Sequence, residues 1–246
     1  MNWLLLRGLV RERRHWSTFP DQLAARTGGV VLCLDLPGVG TERGRPSPTS
    51  LGEIVQDLRA RFVTDRGDAT PWSLFAPSLG GMIALTWAEA HPEDFAGVAV
   101  CNTSTRDLGG LFDRFSPEAL RTVLTSLGAM VFAPDVYARE ARILALVSNT
   151  DQGRAHAQAF TDYALEAPIG PNVLVRQLWA ASRARAPQSL AVPLHVLCSE
   201  GDRLCHPKVS RALAARLGAR LSVHPTAGHD LPLDDTEWVI NALAGC

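Results

Sequence analysis

A series of short, unbroken apolar runs, each stopped by a turn and followed by a helical pattern, most limits what this chain can fold into. Residues 3–6 (Trp-Leu-Leu-Leu) end at Arg7-Gly8, and Val30-Val31-Leu32-Cys33-Leu34 ends at Asp35-Leu36-Pro37-Gly38. Such runs read as strands buried on both faces, because they lack the in–out alternation of a half-exposed strand. Residues 16–27 between them fit a helix with Phe19, Leu23 and Ala24 as its inner face. After a polar, proline-rich loop over 40–48, Leu51, Ile54, Val55, Leu58 and Phe62 recur at helical spacing. A third run at 72–75 breaks sharply at Ala76-Pro77-Ser78-Leu79-Gly80-Gly81, a small-residue helix follows over 82–90, and residues 95–100 form a fourth strand. Strands alternating with helices through short joints predict a parallel sheet with right-handed crossovers.

That rhythm stops near residue 105. Up to residue 185 only helical patterns occur, at 117–130, 135–148, 152–165 and 171–185. Strands resume at 194–198 and 221–224, with helices at 207–217 and 235–244. The expected architecture is a mostly parallel sheet with helices on both faces, formed by residues 1–104 and 189–246. A helical cap, or lid, is inserted at 105–188. The 246 residues suit one large α/β domain, and 46% hydrophobic residues supply ample material for its core.

Composition excludes several classes of function. The formal charge of −1 provides no field to attract nucleic acid, and no apolar stretch reaches the ~20 residues needed to span a membrane. The N-terminus runs from apolar residues into Arg11-Glu12-Arg13-Arg14-His15, the reverse of a secretory signal. The five cysteines are odd in number and lack metal-ligand spacing. Cys33, Cys101 and Cys198 lie in or beside apolar runs and read as buried free thiols, which fits a reducing cytoplasm. No metal, nucleotide or flavin signature is found, so no cofactor is expected.

Ser78 carries the chemistry. A serine hydroxyl is a poor nucleophile unless a base lies beside it, so it must stand exposed where a histidine can reach. A tight strand-to-helix turn does this when small residues flank the serine, as in G-x-S-x-G. Here the turn is Ala76-Pro77-Ser78-Leu79-Gly80, with alanine in the first position. A serine at this point could equally serve as an ordinary helix N-cap. Two further residues favour the nucleophile. Asp202 follows the strand at 194–198, and His229 follows the strand at 221–224, in the chain order Ser, Asp, His. In a parallel sheet all three fall on one edge, where ligands bind. His229 would act as general base and Asp202 would hold its tautomer. Backbone N–H groups of Leu79 and Leu9 are the expected oxyanion donors.

Taken together, residues 4–16, the Leu34–Gly40 turn, the serine turn and the Asp202 and His229 turns resemble the α/β-hydrolase superfamily over nearly the whole chain. The cap, especially Ala141-Arg142-Ile143-Leu144-Ala145-Leu146, is similar to that of pimeloyl-[acyl-carrier protein] methyl ester esterases. That resemblance implies a carboxylic-ester hydrolase acting on small or medium acyl substrates through an acyl-enzyme. It also implies an acyl carrier protein received by cap arginines, here Arg142 and Arg154, with Arg139 nearby. Three departures stand out. The family's His-Gly after the first strand is Arg7-Gly8, the serine turn carries Ala76, and the usual N-terminal pair of strands is trimmed. Arg7 either replaces a structural histidine or brings a charge near a substrate carboxylate. The resemblance makes Asp35 structural, and Trp16 beside His15 reads as a packing tryptophan next to a surface histidine. The rival readings are a carbon–carbon lyase of the menaquinone-pathway type, which needs basic residues around the pocket, and a ligand receptor with residual hydrolysis.

Overall fold

The computed structural model describes residues 1–67, 71–114, 116–118, 120–122, 124–125 and 135–244, apart from the side chain of Leu111. Its strands are β1 (Asn2–Leu6), β2 (Val31–Leu34), β3 (Trp72–Pro77), β4 (Gly97–Cys101), β5 (Leu194–Ser199) and β6 (Arg220–His224). They form one sheet in the order β2-β1-β3-β4-β5-β6, and every neighbouring pair is parallel. Alternate residues of each central strand feed two separate cores, as the two-residue period of a strand requires. Leu4, Leu6, Leu74 and Ala76 face one core, while Trp3, Leu5 and Phe75 face the other.

Helices cover both faces. α1 (Phe19–Thr27) contributes Phe19 and Leu23 to the second core, and the closing helix, numbered α8 here (Thr236–Ala244), adds Val239 and Leu243. α2 (Leu51–Asp65) buries Leu51, Ile54, Val55, Leu58 and Phe62 on the first, the same five positions that helical spacing selects. α3 (Leu79–Ala90) lies beside α2, where Phe62 meets the rings of Trp72 and Trp87 edge-on at 5.3 and 5.7 Å. Truncating such a buried aromatic costs about 3–5 kcal/mol.

Two expectations for residues 16–34 change. β2 was expected to be buried on both faces, but it is an edge strand. Val31, Leu32 and Cys33 are only half-buried, and Val30 lies outside the strand at 57% exposure. An apolar run reports what a strand can bury, not its place in the sheet. The single helix expected at 16–27 is divided into a 3-10 turn (Arg13–Trp16) and α1, because Ser17 takes a left-handed φ of 52°. The described strands are all parallel, and β2 lies at one edge of the sheet.

Between β4 and β5 the described residues form only helices and loops. They include a single turn at Leu111–Arg114, α4 (Val136–Val147), a turn at Asp151–Arg154, α5 (Ala157–Glu166) and α6 (Pro171–Ser182). The helix expected at 117–130 lies partly outside the described residues, although 117–118, 120–122 and 124–125 are helical. The helix expected at 152–165 is two helices, and Thr150 caps the first by accepting from Gly153 N at 2.9 Å. α4 and α5 meet through buried Leu144 and Phe160. α7 (Pro207–Leu217) then leads from β5 into β6, within the residue range that its pattern predicts.

Candidate active site

The β3–α3 turn holds Ser78 at φ 55° and ψ −123°, a conformation costing a non-glycine residue about 1–3 kcal/mol. The surroundings over-determine it. Ser78 N donates to Cys101 O at 2.8 Å, and Ser78 O accepts from Thr103 Oγ1 at 2.8 Å and Met82 N at 3.2 Å. A Cβ at position 80 would lie 2.7 Å from Leu6 O and 3.2 Å from Ala76 Cβ. Glycine at position 80 therefore leaves room for the methyl of Ala76. The Ser78 side chain caps no helical N–H, so the alternative reading as an N-cap is not what this turn does.

Asp202 sits in the turn after β5 with its carboxylate buried. Oδ1 accepts from Leu204 N at 2.7 Å and Cys205 N at 3.0 Å, while Oδ2 lies 2.8 Å from His229 Nδ1. An ionised carboxylate can only accept, so the proton is on Nδ1 and the lone pair of Nε2 is free to act as a base. Burial pulls the pKa of His229 down, but the charge and hydrogen bond of Asp202, aided by Asp230, outweigh it and raise the value above normal. Ser78 and His229 line one cavity of about 150 Å³ together with Gly8 and Leu9.

The expected oxyanion donors lie beside it. Leu79 is the first residue of α3, where a backbone N–H has no intrahelical acceptor. Leu9 lines the cavity, whereas the N–H of Val10 is taken by Gln177 Oε1 at 2.9 Å. Gly8 packs so close that a Cβ there would lie 3.2 Å from Ser78 Cβ.

Several residues of the site escaped the sequence reading. Asn102, buried at the end of β4 with φ 46°, donates to His229 O at 2.9 Å and Gly228 O at 3.3 Å. Its Oδ1 accepts from Ser199 N at 2.9 Å, joining the β5 end to the histidine loop. Asp234 accepts from Gly228 N at 2.6 Å and from Asn149 N at 2.8 Å, which ties that loop to the end of α4. An asparagine directly after a strand is the only sequence signal for the first. None marks the second.

The arginine expectations divide. Arg7 is buried, its guanidinium is paired with both carboxylate oxygens of Asp230, and it lies 4.6 Å over the Trp16 ring. Its charge is thus matched within the protein and is not left over for a substrate carboxylate. Arg142 is exposed on α4 and Arg154 pairs with Asp151 at 2.6 Å; neither lines the cavity. Arg139 does line it, and donates to Glu140 Oε1 at 3.2 Å.

His15 is not on the surface, as had been expected, but is 4% exposed, with its ring edge-on to Phe160 at 4.5 Å and Tyr163 at 5.6 Å. Burial, with help from Arg11 and Arg7, holds its pKa well below the usual histidine value. Its burial comes from aromatic rings in α5, almost 150 residues away. Beside it, Arg11 Nη1 donates to Glu140 Oε2 at 2.6 Å. Glu12 is raised by burial in spite of its partner Arg14. Asp35 is structural, accepting from Arg13 N at 2.6 Å and Thr41 N at 2.9 Å.

Cys101, Cys198 and Cys205 are buried free thiols, while Cys33 is only partly buried. Burial pushes Cys33 to about 12 and Cys198 to about 11, so neither is a ready thiolate at neutral pH. Cys205, Asp202 and His229 bring potential ligand atoms within 4.8 Å of one another. The carboxylate is already satisfied by N–H donors and the thiol is driven well up by burial, so these contacts need no metal to explain them. Among the described residues no helix is long and apolar enough to cross a membrane.

A family profile described as "Serine aminopeptidase, S33" matches residues 4–236. An esterase from Thermogutta terrifontis superposes with a TM-score of 0.77 at 21% identity, covering 100% of this chain and 88% of that one. The esterase RhEst1 from a Rhodococcus species gives a TM-score of 0.77 at 18% identity, over 100% and 89% of the two chains. ABHD14B of Homo sapiens, a candidate protein-lysine deacylase, is 27% identical over 95 residues, or 38% of this chain. That match spans under half, 45%, of the relative's own length.

Proposed function

The chain belongs to the S33 serine aminopeptidase family of α/β-hydrolase enzymes, and from that premise we propose that it cleaves carboxylic esters of small or medium acyl groups through Ser78, His229 and Asp202. The observation that carries this reading is the strained Ser78 turn opening into the cavity that His229 also lines, with Asp202 bound to the far nitrogen of the imidazole.

In the proposed reaction His229 Nε2 takes the Ser78 hydroxyl proton as Oγ attacks the ester carbonyl. The oxyanion is met by the N–H groups of Leu79 and Leu9. The tetrahedral species collapses as His229 returns the proton to the departing alcohol, leaving an acyl-Ser78 ester. Water, deprotonated by the same Nε2, then releases the acid. Asp202 stays ionised throughout and stabilises the imidazolium.

Two observations favour esters over the alternatives. A lyase of the menaquinone-pathway type needs basic residues around the pocket, whereas the arginines lining this one are engaged in ion pairs, Arg7 with Asp230 and both Arg11 and Arg139 with Glu140. An aminopeptidase needs a free carboxylate for the substrate ammonium, yet Glu12, Glu140 and Asp230 are each engaged by an arginine. A receptor with residual hydrolysis would label once and stop. We also place the protein in a reducing cytoplasm, consistent with its free thiols. Exposed Arg142, together with Arg154, is the proposed contact for an acyl carrier protein.

The test is a p-nitrophenyl ester series from acetate to octanoate, with an aminoacyl anilide as control and Ser78→Ala run alongside. Multiple turnover on esters that vanishes in the variant is expected. Turnover unchanged by the substitution would refute the assignment.

A further inference from the structure

The loop that follows β1 is held in a conformation that its sequence does not favour. Arg11 N donates to Gly8 O at 3.3 Å, closing a turn with Leu9 and Val10 at its centre. Val10, the third residue of that turn, has a φ of 48°. Turns with a positive φ at this place usually carry glycine or asparagine, which enter the left-handed region at little cost. A β-branched residue there is strained, and it persists only where its surroundings impose the conformation.

Among the described residues the constraint comes from α6. Val10 N donates to Gln177 Oε1 at 2.9 Å, across 167 residues of chain, and Gln177 is 0% exposed. This is the single hydrogen bond of the Gln177 side chain among the described residues, since Nε2 is buried and has no partner there. An amide so placed adds little to stability, because one of its polar ends is desolvated without return. What it does supply is a fixed position for Val10. α6 is a firm support for that contact: Arg176 Nε donates to Ser47 O, Arg114 Nη2 donates to Ala181 O at 2.6 Å, and Val173, Ala180 and Ala181 are buried in the first core.

Leu9 lies between two fixed points. On one side Gly8 packs against Ser78, where an added Cβ would lie 3.2 Å from Ser78 Cβ. On the other, Val10 N is tied to α6. We propose that Gln177 is a positioning residue for the oxyanion hole, holding Val10 at positive φ and so fixing the backbone of Leu9, whose N–H meets the oxyanion. This rests on the ester-hydrolase reading for the role of Leu9, and adds to it a residue from the segment between β4 and β5. Without the acceptor, Val10 returns to a negative φ and the peptide joining it to Leu9 rotates with it. A donor stabilises developing charge only when it is aimed beforehand, so the loss falls on the transition state and not on the bound ester.

Gln177→Met keeps the volume of the side chain and removes the acceptor. With p-nitrophenyl hexanoate its kcat is expected to fall about 10²-fold, as for a slightly misplaced catalytic group, while KM stays within about twofold. A trifluoromethyl ketone with a pentyl chain reads the oxyanion hole directly. Ser78 Oγ adds to its carbonyl carbon, the serine proton passes to His229, and the ketone oxygen becomes the oxyanion. Its inhibition constant should rise by the same factor as kcat/KM falls, whereas a fraction of unfolded protein would lower kcat without moving that constant. Gln177→Asn, whose amide is one carbon too short, is read in the same way if the methionine variant does not fold. Adding Val10→Gly to either variant should restore kcat about fivefold or more, because glycine holds a positive φ without support. Wild-type kcat in the Gln177 variants, a rise in KM alone, an unmoved ketone inhibition constant, or no recovery with Val10→Gly overturns the inference. Hydrolysis by the wild-type protein that is lost in Ser78→Ala reports separately on the parent reading, so the two failures are distinguishable.

Discussion

Two regions line the same cavity and are held in place by different forces. At the strand ends, main-chain groups do the holding. Asp202 takes two backbone N–H groups, Ser78 is bonded through both its N–H and its carbonyl, and Asn102 grips the carbonyl of His229. On the side formed by α4 and α5, side chains hold side chains. Glu140 bridges Arg11 and Arg139, and His15 packs against Phe160 and Tyr163. Backbone anchoring positions reacting atoms without relying on rotamers. Side-chain anchoring lets the opposite wall change its chemistry while the catalytic edge stays as it is.

If the contrast is right, substitutions in the two regions should fail in different ways. The largest effect is expected for Asp202→Asn, which keeps the acceptor for Leu204 N and Cys205 N but presents the wrong group to Nδ1. Its kcat should fall about 10⁴-fold, by analogy with the same change in serine proteases, with little movement of the melting temperature. A comparable loss of stability would show that the aspartate holds the fold as much as the imidazole.

Glu140→Ala should do the reverse. Leaving two arginines beside the cavity without their shared carboxylate should cost about 3 kcal/mol, read from denaturant unfolding, and raise KM more than it lowers kcat. A selective fall in kcat would place Glu140 with the catalytic edge instead.

The two histidines should also separate on the pH axis. His229 must be neutral to act as a base and its pKa is raised, so kcat/KM should be lost on acidification with a midpoint above the usual ~6.5. In the stability profile a raised histidine adds stability that is fully present below ~6.5 and is lost as pH climbs through its folded value. His15 has the opposite sign. Its folded value is lowered, so the unfolded chain takes up a proton first and stability falls as pH drops below ~6.5. His15→Phe, which keeps a ring against Phe160, should flatten the acid side of a melting-temperature profile while leaving the midpoint of kcat/KM within a few tenths of a unit. An unchanged acid side would mean that His15 titrates normally in the folded protein.

The smallest effect is expected at Arg142. Arg142→Glu should alter stability by no more than about 0.5 kcal/mol, as at other exposed sites, and raise KM only for an acyl group presented on a carrier protein. Equal kinetics on carrier-linked and free esters would remove the carrier from the proposal.

The sequence by itself determined the features that depend on short-range rules. Continuous apolar runs marked the strands, helical spacing marked the buried face of α2, and the small residues around Ser78 marked a turn that a Cβ at position 80 would obstruct. With the turns after β5 and β6 located, the three candidate catalytic residues followed, since a parallel sheet brings its strand ends to one edge. The tertiary structure alone decided which apolar run became the edge strand, that Arg7 is neutralised by a residue 223 positions away, and that His15 lies under the rings of α5. Those outcomes depend on pairings between side chains far apart in the chain, and no local pattern of hydrophobicity or turn sterics encodes the partner.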